Sequence, residues 1–96
     1  SQFDGQLSTF KGYEKDLPCY RCLVPDHPRG VLSCAEAGIL GAVAGVVGTM
    51  QAIEVLKEIL SLGEGLAGKL LIYDALSASS RTIKLPKDPN CKHCNP

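Results

Sequence analysis

The longest apolar pattern in the chain lies in its middle. Residues 37–53 carry no charge, and charge returns only at Glu54, Lys57 and Glu58. Leu40, Val43, Val47, Met50, Ile53, Leu56 and Leu60 recur at three- and four-residue steps, the period of a helix with a buried face. Just upstream, Ser33-Cys34-Ala35-Glu36 has the S-x-x-E form of a capping box. A helix is therefore expected from about residue 34 to about residue 62, stopped by Gly63, with Gly65 and Gly68 behind it. Its first half is apolar nearly all round and is expected to be covered on every side; its second half should be covered on one face. Gly38, Gly41, Gly45 and Gly48 each cost ~1 kcal/mol in a helix relative to Ala. They are read as places where another backbone comes close, since G-x-G-x-x-G spacing after a strand is missing.

Shorter patterns flank the helix. Residues 2–10 place Phe3, Leu7 and Phe10 at near-alternate spacing, which predicts a strand with Gly5 as a bulge. Residues 69–74 read as a mostly buried strand, and residues 81–85 alternate Ile83 and Leu85 with Thr82 and Lys84. Residues 75–80 should join these two as a hairpin. Pro25, Asp26, Pro28 and Gly30 forbid regular structure and mark an exposed loop ending near Leu32. The expected fold class is α+β, one long helix against a small antiparallel sheet.

Composition narrows the functional classes. Ninety-six residues suit one domain, and 45% hydrophobic content with only 5% aromatic implies an aliphatic core. Lys and Arg total 10, as do Asp and Glu, so the clustered basic excess of a nucleic-acid binder is lacking. The uncharged run of roughly 17 residues falls short of the ~20 that span a bilayer, so no membrane partner is expected. Neither end reads as a signal peptide. Ser1-Gln2-Phe3 opens in apparent mid-strand, and the chain is expected to be a piece of a longer protein.

The chemistry sits in the cysteines. Four of the five form two C-x-x-C pairs, Cys19 with Cys22 and Cys91 with Cys94, separated by about 68 residues. Two thiolates at that spacing grip one ion from a single turn, and two such pairs complete the closed tetrahedral shell of structural zinc. The metal would then tie the start of the domain to its end. Two disulfides or four free thiols are the bland alternative, disfavoured in the reducing compartment expected of a chain without a signal peptide. His93 lies within the second pair, but four sulfurs already close the shell, so it is read as a bystander. Cys34 is the odd cysteine. In the first turn of a capped helix it would lie where unpaired N–H groups favour the thiolate, and a buried, inert thiol is an equal reading. His27 is expected to be solvated; Glu36 and Asp74 are given structural roles.

Together these words resemble the C-terminal part of the MoeB/ThiF/HesA family. They are Gly5-Gln6, Cys19-Tyr20-Arg21-Cys22, the stretch from Ser33-Cys34-Ala35-Glu36 through Gly48-Thr49-Met50-Gln51-Ala52-Ile53-Glu54, Tyr73-Asp74-Ala75, and Asp88-Pro89-Asn90-Cys91-Lys92-His93-Cys94. The resemblance covers essentially the whole chain. It implies the C-terminal part of an α/β Rossmann-like, ubiquitin-activating-type fold. It also implies an adenylyltransferase that uses ATP and Mg2+ to activate the C-terminal glycine of a ubiquitin-like sulfur carrier, in molybdopterin, thiamin or tRNA-thiolation chemistry. A cytoplasmic homodimer is implied, with Cys19, Cys22, Cys91 and Cys94 on structural zinc and Cys34 at the family's crossover-loop cysteine. The family's ATP site lies upstream of residue 1, so residues 1–96 form a single segment expected to lack adenylating activity on its own. Two other readings stand beside this one: a non-catalytic zinc-tied interaction module, and a redox protein working through its C-x-x-C pairs.

Overall fold

A computed structural model describes residues 4–24 and 34–94, with the backbone alone for residues 34–40. Its elements run β1 (Asp4–Leu7), α1 (Tyr20–Leu23), α2 (Cys34–Leu60), β2 (Lys69–Asp74) and β3 (Ser79–Lys84). The three strands form one antiparallel sheet in the order β1-β2-β3. The expected loop of residues 25–32, with His27, and the Ser33 cap lie outside the described residues.

Register follows from the alternation. Gly5 pairs with Tyr73 and Leu7 with Leu71, so these four share one face of the sheet. Gly5 and Leu7 are the buried positions of β1. That face carries α2: a Cβ added at Gly5 would overlap Val47 Cγ2 and stand 3.1 Å from Val43 Cγ1. Gly5 is therefore a contact glycine inside a regular pairing, where a bulge was expected. Leu70, one step out of phase, is buried on the opposite face at 4% exposure, and Gly68 O accepts the Leu85 N–H at 2.9 Å.

The helix ends earlier than its glycines suggest. Ser61 takes φ +54°, and Leu62 N–H donates to Lys57 O at 3.0 Å. This is the 6→1 bond of a left-handed helix stop, made by serine two residues before Gly63. In the hairpin, Ala78 takes φ +55° and Asp74 Oδ1 accepts the Leu76 N–H at 3.0 Å. Asp74 thus has the turn role expected of it, and the tighter turn lets pairing begin at Ser79, two residues earlier than predicted.

The covering of α2 differs most from expectation. Val43 is 6% exposed, yet Val46, Ile53, Val55, Leu56, Ile59 and Leu60 are exposed, Ile59 at 71%. Gly41, Gly45 and Gly48 meet nothing within 4 Å. Among the described residues the helix rests on β1 along one face, and no backbone approaches these glycines. No described helix is long and apolar enough to cross a membrane.

Candidate metal centre

Each cysteine pair is shaped by its own turn. Cys19 sits at the N-cap position of α1 with extended backbone, and Cys22 N–H donates to Cys19 O at 3.0 Å. One turn of α1 therefore brings both thiols to the same side. This short helix was not anticipated, because four residues carry no periodicity to read. At the other end, Asp88 Oδ1 accepts the Asn90 N–H at 2.9 Å and Asp88 O accepts the Cys91 N–H at 3.1 Å. Asp88 so builds the turn that presents Cys91 and Cys94.

The two turns are held face to face. Lys87 Nζ donates to Gly12 O at 3.1 Å and Glu14 O at 3.0 Å, pinning the segment before Cys19 to the segment before Cys91. Gly12 lies against Cys19: an added Cβ would overlap Cys19 Cβ and come 3.0 Å from its Cα. Phe10 and Tyr20 meet edge to face at 5.6 Å, and the Arg21 guanidinium stands 5.8 Å from the Tyr20 ring centroid.

The outcome is a four-sulfur cluster. The Sγ atoms of Cys19, Cys22, Cys91 and Cys94 all lie within 4.8 Å of one another. Cys22–Cys94 measures 3.5 Å, Cys19–Cys91 3.7 Å and Cys19–Cys22 3.9 Å. A disulfide needs about 2.05 Å, so these are free thiols. Sulfurs at ~2.3 Å from a tetrahedral zinc stand about 3.8 Å apart, and the observed separations bracket that value. The donor set fits a thiophilic ion such as zinc. The surroundings fit it too: Asp88 N–H points at Cys22 Sγ at 3.4 Å, the kind of donor that offsets charge on a ligand sulfur. Neither Gly12 nor the Asp88 N–H was singled out from the sequence; a glycine before the first pair was the only visible signal.

Electrostatics also ask for a cation. The backbone N–H groups of Cys94 and His93 lower the Cys91 thiol to about 7, while burial and then the sulfurs of Cys19, Cys22 and Cys91 push Cys94 up to about 12. Four sulfurs this close cannot all ionise unless a positive charge is among them. His93 borders an open cleft of about 610 Å³ beside Cys19 and Cys94 and takes no place in the four-sulfur set. Cys34 is the first residue of α2, and the described side chains begin beyond it.

The ThiF family model matches residues 1–93. This chain belongs to the ThiF family. It is 49% identical over 96 residues to the adenylyltransferase and sulfurtransferase MOCS3 of Caenorhabditis briggsae, covering 97% of this chain and 24% of that protein. A Drosophila virilis protein of the same name is 46% identical over 97 residues, 98% of this chain and 21% of its own length. The sulfur carrier protein adenylyltransferase of Thermus thermophilus is 47% identical over 98 residues, 97% of this chain and 36% of its own length. The chain thus spans between about a fifth and about a third of these ThiF-family relatives.

Proposed function

We propose that this chain is the C-terminal part of an ATP-dependent adenylyltransferase that activates the C-terminal glycine of a ubiquitin-like sulfur-carrier protein. The observation that carries the reading is similarity along nearly all of the chain to relatives named for that activity. The four converging sulfurs support it as an architectural feature. In the whole enzyme the carrier's carboxylate oxygen attacks the α-phosphorus of ATP and pyrophosphate leaves. The acyl adenylate is electrophilic because AMP is a good leaving group. ATP and Mg2+ would bind in an upstream part, with the protein a cytoplasmic homodimer of Rossmann-like fold.

Within this segment the five cysteines carry the proposed roles. Cys19, Cys22, Cys91 and Cys94 would hold a structural zinc ion, which supplies cross-linking and no chemistry on substrate. α2 begins at Cys34, whose Sγ thiolate would attack the activated carbonyl and expel AMP to form a thioester. The test is incubation of the full-length protein with carrier, ATP and Mg2+, reading carrier-AMP by mass spectrometry. Adduct from the full-length protein and none from residues 1–96 alone is the expected outcome. No adduct with any ubiquitin-like carrier sinks the reading.

A second reading rests on the exposed apolar face of α2: a zinc-tied module that docks a partner without chemistry. Cys34→Ala separates the two. Sulfur transfer that survives this change unaltered removes Cys34 from the reaction.

A further inference from the structure

We propose that the four-sulfur clasp is a site of oxidative modification by peroxides, in which Cys22 and Cys94 join as a disulfide and the bound ion is expelled. The inference rests on the metal reading above but concerns chemistry which that reading does not require. Two observations carry it. The open cleft beside the cluster is lined by Gly12, Lys15, Cys19, Lys87, His93 and Cys94, so a small oxidant reaches Cys94 from solvent. Cys91, by contrast, is 5% exposed. The Cys22–Cys94 separation, 3.5 Å, is also shorter than the 3.9 Å within the first C-x-x-C pair. Cys22 Sγ, 3.5 Å from Cys94 Sγ, is therefore within reach to resolve an oxidised Cys94 from the opposite pair.

The step balances with hydrogen peroxide as oxidant. In the loaded clasp the ligands are thiolates. Cys94 Sγ attacks one peroxide oxygen and the O–O bond breaks. The departing hydroxide takes a proton from solvent to become water, and Cys94 is left as the sulfenic acid, S–OH. Cys22 Sγ attacks that sulfur, the S–S bond forms, the S–O bond breaks, and the hydroxide that leaves takes a second proton from solvent to become the second water. In total two thiolates, one peroxide and two protons give one disulfide and two waters. Two electrons pass from sulfur to oxygen. Two sulfurs remain for the ion, too few to close its shell, and it leaves to solvent. The cross-pair link keeps the two ends of the domain joined, whereas links within each C-x-x-C pair would let them part.

The sequence makes the test direct. Cleavage after Lys15, Arg21, Arg29, Lys87 and Lys92 places the clasp cysteines in four separate tryptic peptides, with Cys34 in a fifth. Zinc is measured on the full-length protein, one equivalent of hydrogen peroxide is added, and free thiols are blocked. Released zinc is read with a chromogenic chelator and unreduced peptides by mass spectrometry. The expected result is stoichiometric release, with peptide 22–29 linked to the peptide that begins at His93 several-fold more often than any other pair. Predominant Cys19–Cys22, Cys91–Cys94 or Cys34 links overturn the inference, as does zinc retained under peroxide. A starting protein free of zinc overturns the clasp reading, and this inference with it.

Discussion

Glu54 ties α2 to the segment that feeds β2: its Oε1 accepts the Leu66 N–H at 3.1 Å, while Oε2 lies 2.5 Å from Lys57 Nζ. Leu66 O in turn accepts from Thr9, Ser8 and Lys69, so one carboxylate anchors the junction of helix, β1 and β2. Glu54→Ala strips the part-buried Leu66 N–H of its acceptor and should cost about 1 kcal/mol. Glu54→Gln retains an acceptor and should cost less. Urea unfolding of both variants checks the order; equal losses would mean that the Lys57 ion pair dominates.

Gly5 should tolerate no side chain while Val47 stays in place. Overpacking of this kind costs about 1–3 kcal/mol, so Gly5→Ala should lower the unfolding midpoint. Val47→Ala opens the space that the new methyl needs. The double variant should therefore be more stable than the sum of the single losses, and simple additivity would contradict the β1–α2 contact.

Ser61 holds a conformation that L-residues adopt at a cost of about 1–2 kcal/mol. Ser61→Gly removes that cost, partly offset by the backbone entropy of glycine. The expected result is a gain of up to about 1 kcal/mol, seen as a higher thermal midpoint. Gly63→Ala, also at positive φ (+60°), should move it the other way.

Gly12→Ala tests the clasp without touching a ligand. The added methyl must displace Cys19, so zinc should dissociate faster into a chelator than from the unaltered protein. Cys91→Ser should abolish tight binding, and chelation of the unaltered protein should lower its thermal midpoint, since metal binding stabilises the fold that forms the site. One zinc per chain by elemental analysis is the starting condition.

Lys11 pairs with Glu58 at 2.8 Å, and its hydrogen bond to that carboxylate raises the ammonium above its ordinary value of 10.5. A raised folded value means that the contribution is complete below the unfolded value and fades as pH climbs through the folded one. The difference in melting temperature between the unaltered protein and Lys11→Met should hold at pH 8 and vanish at strongly alkaline pH. Being partly exposed, the pair should also fade with added salt.

How far the sequence foretold the structure depends on how local each cause is. Strand β2 was legible to the residue because Gly68 and the Asp74 turn bound it on both sides. The sulfur cluster was legible because C-x-x-C spacing is itself a local geometry. The helix stop was misplaced because a serine took a conformation that composition assigns to glycine. The covering of α2 was legible as a need, from its all-round apolarity, yet the described residues meet that need only along β1. The pinning of Gly12 by Lys87 joins positions 75 apart, and no local pattern encodes such a meeting.

With an ion shared by Cys19, Cys22, Cys91 and Cys94, the polypeptide between the two pairs becomes a closed ring. Hydrolysis of one peptide bond anywhere along that ring would yield two pieces that still migrate together under native conditions. They would separate only when the ion is withdrawn. A nicked protein could thus pass for an intact one until it meets a chelator.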